Sequence, residues 1–323
     1  MELEDSQDVS SMKGTEIQDK NMEFYKQKSL TSLRPSVIWI EPTASCNLKC
    51  VMCPHEGEGL KRKMGMMSMD LYKKIIDEVK EWKPVIKLFH SGESLIHPKL
   101  GEMIRYAKEA GCFTMLNTNA TLLTEDKTNM ILNSNLDYIS FSFDGATKEV
   151  YEKIRIGADF DKTLNNILKF LELKGQRKRP FVNIEMIKMQ DTEASIEAFK
   201  SKFKDLAVDN IGIKKLTNFG SQVHVEEEKD RVMTDLSCLH PWSFANILDD
   251  GSVVPCCRDS HAKHVLGNVK DDSLLDIWNK HYKMLKLRET LAKEGGYKEI
   301  DICSDCTEIF VDRISKEDAR MLG

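Results

Sequence analysis

The chain has 323 residues, a mild net charge of −5 and 41% hydrophobic residues, enough for one large domain plus a smaller one with a substantial core. Acidic and basic residues are interspersed, which argues against nucleic acid as a backbone-bound partner. The start Met1-Glu2-Leu3-Glu4-Asp5 has no basic or apolar signal region, and no apolar run approaches the ~20 residues of a membrane span, so a cytoplasmic protein without a membrane partner is expected.

Residues 1–33 are polar, with a weak helical pattern around 21–28, and read as a tail or a loosely docked helix. From Pro35 onward apolar runs of strand type alternate with amphipathic stretches. Strands are expected at 37–40, 85–89, 113–116, 138–143, 181–187 and 211–214, and helices at 70–82, 98–110, 125–133, 147–173 and 192–206. Six β-then-α units imply a parallel sheet with right-handed crossovers, and periodicity leaves open whether it forms a full or an open barrel.

After Phe219-Gly220-Ser221 the pattern breaks. Residues 244–248 and 252–254, joined by Asp249-Asp250-Gly251, read as a β-hairpin, and 273–293 reads as a helix capped by Ser273 and ended by Gly295-Gly296. The expected division is a tail at 1–33, a core domain at 34–222 and a smaller domain at 223–323.

The nine cysteines are not scattered. Thiols stay reduced in the cytoplasm, so clustered cysteines point to metal or catalysis rather than to disulfides. Cys46, Cys50 and Cys53 follow the first strand as Cys-x3-Cys-x2-Cys. Three thiolates on a four-iron cluster leave one iron open. Cys238, Cys256, Cys303 and Cys306 form a complete second set of four. Zinc is the alternative at both places, with His55 as a fourth ligand for the first.

Ligands of parallel α/β folds bind at the carboxyl ends of the strands. There the chain carries His90-Ser91-Gly92-Glu93-Ser94, Asn117-Thr118-Asn119, Ser142 and Asp144-Gly145. Gly92 permits close backbone approach to a ligand and Glu93 is suited to a cationic group.

These residues resemble the radical S-adenosylmethionine (radical SAM) superfamily. The first triplet matches its cysteine signature, and Ser91-Gly92-Glu93-Ser94-Leu95-Ile96-His97-Pro98 is similar to its Gly-Gly-Glu-Pro motif with Leu-Leu-His-Pro after it, Ser91 and Ser94 replacing the first Gly and the Pro. The stretches 142–155 and 238–306 look like members with a C-terminal auxiliary-cluster domain. Four late thiols resemble the shortened, one-cluster version of that domain, called twitch, rather than the seven-cysteine, two-cluster version called SPASM, which makes a peptide-sulfatase maturase the weaker match.

The resemblance implies a partial (β/α)6 TIM-type barrel with a small C-terminal domain of β-hairpin plus helix. It implies two [4Fe-4S] clusters, one on Cys46, Cys50 and Cys53 that binds S-adenosylmethionine and one on Cys238, Cys256, Cys303 and Cys306. Ser91, Gly92, Glu93, Asn117, Asn119 and Ser142 are the implied cofactor-contacting residues, and a flavodoxin- or ferredoxin-type protein is the implied reductant. Reductive cleavage would give a 5′-deoxyadenosyl radical that takes hydrogen from a substrate. A closed auxiliary cluster suits electron withdrawal, hence oxidation of a small polyol, aminocyclitol or sugar.

A peptide maturase is the alternative, and a non-catalytic iron-sulfur or zinc protein is a third. About 33 residues precede the first strand, too few for a leader-binding module, which favours the small substrate. Cys257, as a hydrogen-atom donor, and Arg155, as a carboxylate-binding group, are weak catalytic candidates; a packed thiol and a helix-face ion pair are their plainer readings. Cys112, Trp242 and Trp278 are expected in the core. His90, His97 and His240 are expected on loops or surface, and 174–179 as a solvated helix end.

Overall fold

A computed structural model describes residues 16–55, 59–219 and 238–307. The proposed boundary near 222 and the break at Gly220-Ser221 lie outside the described residues. Helix α1 (Glu16–Lys26) leads into strand β1 (Val37–Ile40), then α2 (Met69–Val79), β2 (Val85–Lys87), α3 (Leu100–Glu109), β3 (Phe113–Thr118), α4 (Glu125–Leu132) and β4 (Tyr138–Ser142). Next come α5 (Lys148–Ile154), α6 (Phe160–Lys174), β5 (Phe181–Lys188), α7 (Gln190–Glu193), α8 (Ile196–Phe203) and β6 (Asn210–Lys215). The late region holds α9 (His240–Ser243), β7 (Phe244–Ile247), β8 (Ser252–Val254), β9 (Gly267–Asn268), α10 (Leu274–Asn279), α11 (Tyr282–Leu291) and α12 (Asp301–Ser304).

The strands form one sheet in the order β6-β5-β4-β3-β2-β1-β7-β8-β9. β1 to β6 are parallel, as the six repeated units require. β7 pairs in parallel with the other edge of β1, Trp39 opposite Asn246. Both edges of β1 are therefore occupied, β6 has no edge of it to pair with, and the barrel stays open. The expected hairpin is present, β7 to β8, with Gly251 at φ +88 in its turn, and it extends the barrel sheet rather than standing apart from it.

Alternation sorts each strand between two faces. Ile38, Ile40, Ile86, Leu116, Ile139, Phe141, Ile184, Met186 and Ile247 turn toward the helices and form the main core. Trp39, Lys87, Met115, Asn117, Ser140, Ser142, Asn183, Glu185 and Asn246 fall on the opposite, inner face by their register.

Three expected helices are broken. The 147–173 segment divides at Gly157, φ +95, after which the Asp159 carboxylate caps α6 by accepting from Lys162 N at 2.8 Å. The 273–293 segment divides at His281, which caps α11, while Ser273 caps α10 as expected. The 192–206 segment also divides, into α7 and α8.

Helix α1 is docked, the second of its two expected readings: Tyr25 packs edge-on against Trp242 with centroids 5.3 Å apart, and Trp242 Nε1 donates to Ser29 O at 2.8 Å. Trp242, Trp278 and Cys112 are buried, as expected of core residues. Lys174 is not solvated but buried, 3.6 Å from Asp209, and Arg179 pairs with Asp137.

Arg288, fully buried, joins the N-terminal segment to the late region. Its Nε donates to Pro241 O at 2.9 Å and its Nη1 to Leu30 O at 3.0 Å and Trp278 O at 2.6 Å. Arg288→Met strands those carbonyls and is expected to cost about 3 kcal/mol. A lower urea midpoint, compared with wild type, measures it.

Candidate functional site

The three early cysteines lie on the loop between β1 and α2, and that loop is pinned on both sides. Its ends clasp each other through Met67 N to Pro42 O, 2.9 Å, and Thr43 Oγ1 to Gly65 O, 2.7 Å. Its middle lies along the end of α5, with Lys49 N donating to Ile156 O at 3.0 Å and Val51 N to Ile154 O at 3.1 Å. Cys46, Cys50 and Cys53 pack around Leu48, Met52 and Ile154. Burial pushes the Cys46 thiol up to about 11 and Cys53 up to about 12, and raises Cys50 as well. Thiols so desolvated ionise only beside compensating positive charge, which a bound metal supplies.

Arg155 is the protein's own positive charge there. It sits beside Cys50 and is held by Asp144, whose Oδ2 accepts from Arg155 Nε at 2.8 Å and whose Oδ1 accepts from Ile187 N at 2.6 Å. This is a buried ion pair joining the ends of β4 and β5 to the triplet loop, and neither a helix-face pair nor a group free to bind a substrate carboxylate.

Ser91, Gly92 and Glu93 run beside the same loop. A Cβ on Gly92 would stand 2.2 Å from Thr43 O and 2.6 Å from Ser45 O, so the close approach is to the triplet loop's backbone rather than to a ligand. Glu93 likewise forms no ion pair among the described residues, Arg155 acting on it only at longer range. Its buried carboxylate accepts from Thr118 Oγ1 at 2.7 Å, Asn119 N at 2.8 Å and Leu95 N at 3.0 Å. Asn119 Nδ2 donates to Asn47 Oδ1 at 3.2 Å, tying the β3 loop to the triplet. The His55 ring is buried near the Ser91 backbone, and burial lowers its pKa.

A second buried charge cluster anchors the loop to the late region. Arg62 donates to Glu41 at 2.7 Å and 2.8 Å, to Asp249 Oδ1 at 2.8 Å and to Ser260 O at 2.8 Å. His90 Nδ1 stands 3.6 Å from Glu41 Oε1 and 2.8 Å from Ser91 Oγ. His90 and His97 lie on the connection after β2, as expected, but with buried side chains, His97 with Nε2 at 3.0 Å from Met67 O.

The four late thiols also gather. Cys238, Cys256 and Cys303 pack on the core beside buried Cys306. Cys256 is raised by burial and then by Cys257, Cys238 and Cys303, and Cys303 is pushed up to about 12 by burial and then by Cys306. Among the described residues no three histidine, cysteine or carboxylate groups converge on a point, as one metal ion needs. A polynuclear cluster carries its thiolates on separate irons and does not need that convergence; the donor chemistry of both sets fits such a group.

The inner face of the sheet carries a polar row. Asn117 Nδ2 donates to Glu185 Oε1 at 3.0 Å, Ser142 Oγ to Asn117 Oδ1 at 2.9 Å, and Asn183 Nδ2 to Ser140 Oγ at 2.7 Å; Lys214 Nζ stands 2.6 Å from Glu185 Oε2. Burial alone would raise the Glu185 carboxyl, but Lys214 and these hydrogen bonds together lower it. Asn183, Glu185, Lys87 and Asn246 were not singled out from the sequence. Their signal was a polar residue at every second place of an otherwise apolar strand, as in Phe181-Val182-Asn183-Ile184-Glu185. Cys257 is an electrostatic neighbour of Lys87, which brings it toward this face. His240 stacks on Trp39, centroids 6.2 Å apart, instead of lying at the surface.

The Glu41–Arg62–Asp249 cluster has a pH signature. Burial and the Glu41 carboxylate push Asp249 up to about 7, against the pull of Arg62. The folded state thus keeps a proton that the unfolded chain releases near its ordinary value of 3.8, and Asp249's contribution to stability falls as pH rises from about 4 to 7. Glu41 is held low by His90 and Arg62 despite its burial, and acts only below about 4.5. Histidines kept neutral by burial, such as His55 and His97, oppose the trend, so the comparison with Asp249→Asn isolates it. The variant's stability relative to wild type is expected to improve between pH 5 and pH 8, read as urea midpoints.

Comparison with known proteins agrees with this geometry. Residues 40–202 match the radical SAM superfamily, and residues 238–307 match the SPASM iron-sulfur cluster-binding domain. The chain is 23% identical to a tungsten-containing aldehyde ferredoxin oxidoreductase cofactor-modifying protein of Pyrococcus furiosus, covering 84% of this chain and 86% of that protein. It is 22% identical to an S-adenosyl-L-methionine-dependent 2-deoxy-scyllo-inosamine dehydrogenase of Niallia circulans, covering 85% and 94%. The crystal structure of Streptococcus suis SuiB bound to precursor peptide SuiA superposes with a TM-score of 0.65 at 14% identity, covering 84% and 70%. No helix among the described residues is long and apolar enough to cross a membrane. The matched residues enclose the early triplet and the late four, and the chain belongs to the radical SAM superfamily: it is a radical SAM enzyme whose cofactors are S-adenosylmethionine and iron-sulfur clusters.

Proposed function

We propose that this enzyme removes two electrons from a small polyol, aminocyclitol or sugar bound on the inner face of the sheet. The observation that carries the reading is the polar row there: Asn117, Ser142, Asn183 and Glu185 lie on the adjacent strands β3, β4 and β5 and are joined by hydrogen bonds. Amides, hydroxyls and a carboxylate at strand spacing suit a ring bearing several hydroxyl groups. The dehydrogenase relative from Niallia circulans supports the same class.

In this reading Cys46, Cys50 and Cys53 hold one [4Fe-4S] cluster, and Cys238, Cys256, Cys303 and Cys306 hold the other. When bound, these groups with S-adenosylmethionine supply a hydrogen-abstracting radical and an acceptor for the remaining electron. The chain's own part is position and shelter. Arg155 offsets the negative charge of the early thiolates, and Asp144 keeps it in place. Gly92 and Glu93 brace the triplet loop against the β3 loop, and Ser91 and Asn119 stand at its rim where S-adenosylmethionine would lie. Glu185, kept ionised by Lys214, fixes Asn117 and Ser142 in the wall that the substrate meets. The nine cysteines form no disulfide, in keeping with a cytoplasmic enzyme served by a flavodoxin- or ferredoxin-type reductant.

Anaerobic reconstitution tests this. Wild type should bind about eight irons, and a Cys46/Cys50/Cys53 triple alanine variant about four. Reduced wild type should release 5′-deoxyadenosine and methionine and yield a ketone from the right cyclitol. A Cys303→Ala/Cys306→Ala variant should still cleave S-adenosylmethionine but lose the ketone. Zinc in the late site, or product formed only from a peptide, would defeat the reading.

A further inference from the structure

Lys87, at the end of β2, is the least accounted-for charge on the inner face. Its Nζ lies over the Trp39 ring, 4.1 Å from the centroid, and no carboxylate among the described residues forms an ion pair with it. Glu185, the nearby acid of this face, is already matched to Lys214 at 2.6 Å. A cation–π contact offsets part of the desolvation of an ammonium group and leaves its charge without a counter-ion.

Asn246 is the second such group. It is fully buried on β7, and neither its amide oxygen nor its amide nitrogen has a hydrogen-bond partner among the described residues. Buried amides are rarely left that way, because each unmade bond is costly. Register puts the two residues on one face: Trp39 is opposite Lys87 on one side and opposite Asn246 on the other. Their backbones are two strand spacings apart, about 10 Å, a gap that both side chains can reach across above Trp39.

His240 Nδ1 is buried beside them with no hydrogen-bond partner among the described residues, and its ring stacks on Trp39. Burial lowers Lys87 to about 8, with Cys257 and Glu185 acting against the shift and Lys214 with it. An anion placed there would hold the ammonium form.

We infer that Lys87 and Asn246 form a subsite for an anionic substituent of the substrate, a carboxylate or a phosphate group. The inference rests on the inner face being the substrate site, and it narrows the substrate from a neutral or amino-bearing cyclitol to an acidic one. Asn246 supplies a neutral donor to the anion's second oxygen, and Trp39 forms the floor of the subsite.

Titration calorimetry of the reconstituted holoenzyme, with S-adenosylmethionine bound and ionic strength fixed, tests it with three probes: myo-inositol, myo-inositol 1-phosphate and glucuronate. At least one anionic probe should bind about tenfold or more tightly than myo-inositol, and which one does so identifies phosphate or carboxylate. Lys87→Met should abolish the preference, Lys87→Arg should keep most of it, and Asn246→Leu should weaken it several-fold. Iron content and circular dichroism establish that each variant is folded. Equal affinities, no anion binding at millimolar probe, or a preference that survives Lys87→Met would overturn the subsite. Failure of the dehydrogenase reading registers separately, as absence of ketone or of S-adenosylmethionine cleavage, because the calorimetric comparison does not depend on turnover.

Discussion

Strand β1 accepts hydrogen-bonded neighbours along both edges, β2 on one and β7 on the other, and this parallel pairing governs the arrangement of everything else. A six-stranded parallel sheet curls under its own twist toward closure, with β6 approaching β1. With β7 on that edge, closure stops and the late region joins the same sheet. The late cysteines then belong to segments around β7, β8 and α12, while the early three follow β1 at the carboxyl end of the parallel strands. The pairing of β7 with β1 ties the late region to the barrel sheet.

Buried charge does the local positioning. Arg155 with Asp144 and Arg62 with Glu41 and Asp249 each join three chain segments that are distant in sequence. Such clusters contribute little net stability, since desolvation offsets most of their attraction, yet breaking one leaves an uncompensated charge and costs about 3–5 kcal/mol. Their value here lies in register. Arg155 reaches Cys50 only where residues 49–51 pair with 154–156, and Arg62 bridges the triplet loop to the turn after β7 only where Asp249 faces Gly65. Cluster-holding loops have no secondary structure of their own, so fixed charges and backbone clasps take over the role that a ladder of hydrogen bonds plays elsewhere.

The inner face follows from the two-residue period of the strands. One set of residues makes an aliphatic and aromatic core against the helices, and the intervening set makes a row of amides, a carboxylate and lysines. Along β5 the row is fully paired, Asn183 and Glu185 each engaged with neighbours on β4, β3 and β6. Toward β2 and β7 the pairing runs out, at Lys87 and Asn246. The protein has thus a rigid polar wall on one side and an unsatisfied one on the other, as suits a cavity that holds part of its ligand by shape and part by charge.

By itself, the sequence determined the parallel α/β class, the six units, the hairpin at Asp250-Gly251 and both cysteine sets, because these depend on local periodicity, turn chemistry and spacing. The breaks at Gly157 and His281 were local too, written in a glycine and a capping side chain that the amphipathic period masked. Tertiary structure alone decided that Glu93 is spent on Thr118 and Asn119, that Arg155 serves Asp144 and Cys50, and that His240 lies against Trp39. Each of these is a contact between segments separated by 11 to 201 positions, and a polar residue carries no mark of which distant partner will neutralise it. The joining of β7 to β1 was of the same kind: any exposed strand edge offers the same hydrogen bonds, and only the packed whole selects which strand takes them.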